Sequence, residues 1–138
     1  MFKKVLLLTV FLSSNTFAAN LVDLAELVKE KNTTPEAAFN ETLKNNKLVV
    51  VEFYSPTCSH CIHMAPILKS VANEYAATEV LFLKVPDKYE NIFVKYGVAG
   101  LPTFMYVKDG QKQFKRGGAI SAQVLKDNIN KYLGVSLN

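Results

Sequence analysis

The sequence contains no tryptophan, two cysteines and two histidines in 138 residues. Each shortage excludes something. Two cysteines make a poor disulfide framework, since small stapled domains usually carry four or more. They are Cys58 and Cys61, three positions apart, and a loop that short removes little chain entropy when closed. A structural staple is therefore a poor reading of the pair. Zinc is disfavoured on related grounds. The possible ligands Cys58, His60, Cys61 and His63 crowd into six residues, and no second cysteine pair exists. Ligands so crowded on one or two helical turns cannot all converge on a tetrahedral ion. Nothing calls for a metal or any other cofactor. The basic residues form no dense cluster, which makes nucleic acid a poor partner. Repeats and low-complexity stretches are also missing.

What is present suits one compact domain: 49% of residues are hydrophobic and 20% charged. The start of the chain stands apart. A cationic "MFKK" precedes the apolar run Val5–Leu12, which is shorter than the ~20 residues a membrane span needs. "TFAA" then supplies small residues around a cut after Ala18, and residues 1–18 are read as a signal peptide. No cysteine near the cut suggests a lipid anchor. Losing Lys3 and Lys4 lowers the net charge from +4 to +2. The expected division is then 1–18 signal peptide, 19–31 a helical extension and 32–138 the main domain. Export places the cysteines in an oxidising compartment. With "VSLN" rather than a "KDEL"-type signal at the end, the bacterial periplasm is preferred to the ER lumen.

Periodicity predicts the elements. Asn20 is expected to cap a helix running to Lys31, with Leu21, Leu24, Leu27 and Val28 at helical spacing. Thr33 and Glu36 suggest a capping box for a second helix, with Pro35 in its first turn. "LVVVEFY" (48–54) and "VLFLKV" (80–85) read as strands covered on both faces. Residues 59–77 read as a helix with Ile62, Pro66, Ile67, Val71 and Tyr75 on one side and a kink at Pro66. A short helix near 89–96 ends at Gly97. A hairpin turns at Asp109-Gly110, and a final helix runs from the cap Ser121 to Gly134.

Three signals carry chemistry. Cys58 falls where a strand meets a helix, so its thiolate would face unpaired N–H groups and the positive end of the helix dipole, which favour the anion. Cys61, a turn later, is placed to resolve a mixed disulfide. His60 between them can support the Cys58 thiolate and so make the disulfide a stronger oxidant. Glu52 interrupts an apolar strand. Burial there should raise its pKa and fit it to accept the Cys61 proton, with Lys84 as counter-charge. In "GLPTF", Leu101-Pro102 precedes a strand, where an exposed Leu101 backbone could pair with an extended substrate.

Taken together, these residues resemble the thioredoxin superfamily, and "VEFYSPTCSHCIHMAP" most resembles protein disulfide isomerase domains. Pro66, "KYGVAGLPTFMYVKDG", Gly117-Gly118 and the last helix extend the match over about 32–133. The resemblance implies an α/β thioredoxin fold, a mixed central sheet flanked by helices, here with an extra N-terminal helix. It implies Cys58 as nucleophile, Cys61 as resolving cysteine, Glu52 as proton acceptor, Lys84 beside it, and Pro102 as a cis proline at the site. Thr57 stands where the family usually has tryptophan, Ser59 where it has glycine, and Ala99 where arginine is common. The function implied is exchange of disulfides with protein thiols by a monomer, in the oxidase or isomerase direction, with a membrane electron donor or acceptor. A periplasmic reductase is the alternative, and a redox-silent polypeptide-binding module the third reading.

Overall fold

In the computed structural model, which describes residues 19–137, the chain forms five strands and five helices. In order these are β1 (Leu21–Asp23), α1 (Leu24–Lys31), α2 (Pro35–Asn45), β2 (Leu48–Tyr54) and α3 (Ser59–Glu74). There follow β3 (Val80–Pro86), α4 (Glu90–Lys95), β4 (Thr103–Lys108), β5 (Gln111–Gly117) and α5 (Ala122–Asn128), the last prolonged by a π turn at Ile129–Leu133. The expected signal peptide, 1–18, lies outside the described residues.

The sheet has the order β1-β3-β2-β4-β5. β1, β3 and β2 run parallel, while β4 and β5 are antiparallel to their neighbours. β2 is central and buried along nearly its whole length, as its apolar residues, interrupted only by Glu52, require. Alternate residues feed two cores. Val50, Phe82, Phe104 and Tyr106 pack against Met64, Leu68 and Val71 of α3 and Leu125 of α5. On the other face Val49, Val51, Phe53 and Leu83 meet Leu24 of α1, Phe39 of α2 and Ile92 of α4. This is the mixed sheet between helix layers that the resemblance predicts.

Several expectations are corrected in detail. Residues 21–23 are a strand, not the first turn of a helix. Asn20 does not cap. Its side-chain amide donates to the carbonyls of Ala72 (3.0 Å) and Val80 (3.3 Å), and its backbone carbonyl accepts from Phe82 N–H at 2.7 Å, which fixes β1 against β3. Asp23 caps α1 instead, accepting from Ala25 N–H at 2.8 Å. Thr34, not Thr33, caps α2 through Ala37 N–H at 3.2 Å. Glu36 is therefore too early for a capping box and accepts from Asn91. The buried side of α3 is Cys61, Met64, Leu68, Val71 and Ala72, leaving Ile62 58% exposed and Pro66 at the surface. Of the expected side, Val71 and Tyr75 are in the core and Ile67 packs against it, while Ile62, about 100° round from Cys61, and Pro66 face outward.

At the hairpin, Asp109 (φ 51°) and Gly110 (φ 76°) both take the left-handed conformation that a two-residue turn between twisted strands requires. β5 forms one edge of the sheet and exposes Lys112 and Arg116. β1, with three residues, forms the other.

Candidate active site

β2 ends at Tyr54, and Ser55–Thr57 turn the chain into α3. Ser55 is buried and holds that turn. Its carbonyl accepts from Cys58 N–H (3.2 Å), and its hydroxyl accepts from Thr57 N–H (3.3 Å) and lies 3.1 Å from the Thr57 hydroxyl. Cys58 is thereby delivered as the N-cap of α3, with φ −79° and ψ 119°. Its Sγ accepts from Cys61 N–H at 3.3 Å, taking the place a serine or aspartate oxygen usually fills. The sulfur thereby satisfies one of the N–H groups that a helix start leaves without a partner in the helix.

Cys58 is half-buried and Cys61 buried, and both are thiols. Cys61 is on the core side of the first turn. Burial pushes its thiol up to about 11. A side-chain hydrogen bond with Cys58 and the charges of Cys58 and Glu52 add to this, and a backbone hydrogen bond from Ser55 opposes it. His60 and Thr57 are exposed on the rim beside the pair, and His63 is exposed on the next turn.

The second wall comes from the loop before β4. The Leu101-Pro102 bond is cis, and the Leu101 carbonyl lies 3.7 Å from Cys58 Sγ. This loop is tied at several points. Thr103 donates to Gly100 O (2.7 Å), Gly118 N–H to Pro102 O (2.8 Å), and the Lys115 ammonium to Tyr96 O (2.5 Å) and Gly97 O (3.1 Å). Pro102 is buried, and Leu101 is half-buried against the core under α2 and α4.

Glu52 lies beneath, in the middle of β2, with 1% of its surface exposed. Neither carboxylate oxygen has a hydrogen-bond partner, and the nearest cation, the Lys84 ammonium, is 4.0 Å away. Desolvation raises its pKa to about 7, and a nearby Asp23 adds to this while Lys84 opposes it. A cleft of about 190 Å³ beside the site has Tyr54, Cys61, Ile62 and Lys84 in its walls. The structure thus brings together Cys58, Cys61, Leu101 and Pro102, with Glu52 and Lys84 below. Sequence patterns did not reveal Ser55, Tyr54 or Asp23. The Ser-x-Thr spacing of 55 and 57 was a visible turn signal, but the other two act only through the sheet.

The family model for thioredoxin matches residues 30–131. This chain belongs to the thioredoxin family. It is 29% identical over 110 residues to the M-type chloroplast thioredoxin of Spinacia oleracea, covering 79% of this chain and 61% of that one. It is 41% identical over 81 residues to protein disulfide isomerase-like 2-1 of Oryza sativa subsp. japonica, covering 57% and 22%. The chain therefore spans about three fifths of the first relative and about a fifth of the second. Among solved structures, a Fasciola hepatica thioredoxin superposes with a TM-score of 0.65 at 32% identity, over 70% of this chain and 93% of that one. The fold is the thioredoxin fold, and the general chemistry that goes with this family is thiol–disulfide exchange.

Proposed function

We propose that this chain is an exported thiol–disulfide oxidoreductase that exchanges disulfides with proteins through Cys58 and Cys61. The observation that carries the reading is the placement of Cys58. A half-buried cysteine caps a helix with its sulfur beside the Leu101 carbonyl, and a buried thiol lies one turn behind it.

In the reducing direction, the Cys58 thiolate attacks one sulfur of a substrate disulfide. The substrate S–S bond breaks, its other sulfur leaves as a thiolate, and a mixed disulfide forms. Cys61 then gives its proton to Glu52 and attacks Cys58 Sγ. The Cys58–substrate bond breaks, so the substrate is fully reduced and the pair oxidised. In the mixed disulfide Cys58 no longer carries a thiol or thiolate, so two of the influences that hold the Cys61 thiol up are gone. Its proton then passes more readily to a carboxylate poised near neutrality. Oxidation of substrates is the same path reversed, and isomerisation uses the first step and then its reverse: a different substrate thiolate attacks the substrate sulfur of the mixed disulfide, the new substrate S–S bond forms, and Cys58 leaves as a thiolate with no net electron flow.

The oxidase or isomerase direction is preferred, with the periplasm as location and a membrane electron acceptor closing the cycle. His60 at the rim and the similarity to isomerase-like relatives support it. The similarity to thioredoxins favours the alternative, a periplasmic reductase fed by a membrane donor.

Cys61→Ala should trap substrates on Cys58 as mixed disulfides, visible as reductant-sensitive adducts on a non-reducing gel. A redox-silent binding module would give none, and that result would overturn the reading. The direction is set by the potential of the pair. His60→Pro should make it more negative by roughly 30 mV or more, measured against glutathione. An unchanged or higher potential removes His60 from the account.

A further inference from the structure

The sheet register lays a polar rung across one face of an otherwise apolar sheet. Asp23 of β1 pairs with Lys84 of β3, and Lys84 with Glu52 of β2. Phe104 of β4 and Arg116 of β5 continue the rung. Lys84 therefore stands between two carboxylates that are served very unequally. Asp23 uses one oxygen to cap α1 and the other to accept from the Tyr54 hydroxyl. Glu52 has no hydrogen-bond donor and only the outlying Lys84 contact. Tyr54 joins the two halves. Its hydroxyl holds Asp23, while the Lys84 ammonium sits 4.3 Å above its ring centre.

We propose that Asp23 is a positioning residue for Glu52: across the rung it competes for the Lys84 ammonium, a pull that the Tyr54 hydroxyl tempers by engaging Asp23, and so sets the pH window in which Cys61 can lose its proton. The consequence for Cys61 rests on the reading of Glu52 as proton acceptor, whereas the coupling between the two carboxylates does not. The groups facing Glu52 can be named from each packed element. They are Cys61 of α3, with Cys58 a turn further out, Lys84 of β3, Asp23 of β1 and Tyr54 on its own strand. β4 presents apolar Phe104, with Arg116 of β5 behind it, and Asp87 acts on Tyr54 from beyond β3. Of the two carboxylates, only Asp23 is supplied with hydrogen-bond donors, the Ala25 N–H and the Tyr54 hydroxyl. Two strand spacings separate them, roughly 10 Å. In a partly desolvated site a charge at that range moves a titration by roughly half to one pH unit.

Two substitutions separate charge from packing. Asp23→Asn keeps an oxygen for Ala25 N–H, because asparagine caps as well as aspartate, and removes the charge. Tyr54→Phe keeps the ring under Lys84 and frees Asp23 to draw that ammonium away from Glu52. Side-chain carboxyl NMR of the full chain should show the Glu52 midpoint falling by roughly half to one pH unit in D23N and rising in Y54F. The rate at which Cys61 expels thionitrobenzoate from Cys58, followed against pH, should move with it. If the Glu52 midpoint moves as stated but the rate profile stays, the coupling is upheld and the proton-acceptor reading is what fails. If the midpoint is unmoved in D23N, or both variants shift it the same way, the proposal is overturned.

Discussion

Leucine in place of Glu52 should stabilise the reduced protein by about 3 kcal/mol at pH 8 and slow resolution of mixed disulfides by about a hundredfold. The first effect follows from the position of the group. Glu52 loses its proton near pH 7 in the fold and near 4.5 when unfolded. Between those values the native state retains a proton that the unfolded state has released. Stability contributed by the neutral, buried carboxyl is thus fully present below pH 4.5 and is lost as pH rises through 7. At about 1.4 kcal/mol per pH unit, the gap amounts to about 3 kcal/mol above neutrality. Leucine has no charge to desolvate and fits a strand whose neighbours are Val50, Phe82 and Phe104. Denaturant unfolding at pH 5 and pH 8 reads this directly. Wild type should lose stability between the two, and E52L should lose about 2.5 kcal/mol less. Parallel pH dependences for the two proteins would show that Glu52 does not titrate in this range. A mixed disulfide that E52L resolves at the wild-type rate would remove the carboxylate from the chemistry.

Serine in place of Cys58 should abolish exchange, a loss of at least about a thousandfold, while the fold becomes slightly firmer. A hydroxyl cannot form the S–S bond on which every step depends. It is, however, a better N-cap than a thiol, and position 58 is the cap of α3, receiving Cys61 N–H at 3.3 Å. The expected gain is about 0.5–1 kcal/mol in urea unfolding of the reduced proteins. Residual turnover above a thousandth of wild type would mean that Cys61 can begin the reaction unaided. Glu52 and Cys58 therefore share a pattern: each is a poorer choice for the fold than an available alternative, and each lies where the proposed chemistry needs it.

Much of the architecture was legible because it is written locally. β2 and β3 are continuous apolar runs, the hairpin carries its Asp109-Gly110 turn, and Ser121 and Gly134 bracket the last helix. What escaped is set by distant partners. Leu21–Asp23 has too few residues to show a period, and it is a strand only because Leu21, Val22 and Asp23 find Phe82, Leu83 and Lys84. The buried face of α3 is legible at Val71 and Tyr75 but not in the first turn, where Ile62, its most apolar residue, points outward while Cys61 points in. A purely apolar pattern favours the first and overlooks the second. The π turn at Ile129–Leu133 likewise has no local signal, as it continues a helical series without a break. Of the site, Cys58, Cys61, Glu52 and Lys84 stood out as irregularities in their own segments. Tyr54 and Asp23 did not, being 31 positions apart and joined only by a hydroxyl and a carboxylate.

The two borders of the sheet bear on a hazard specific to the proposed work. Incompletely folded clients arrive with unpaired strands that seek a bare row of amides and carbonyls. One border offers just three residues, too brief to template an intruder, and the other is fringed by Lys112 and Arg116. Under the proposed function, such chains would meet a sheet whose borders both resist strand addition.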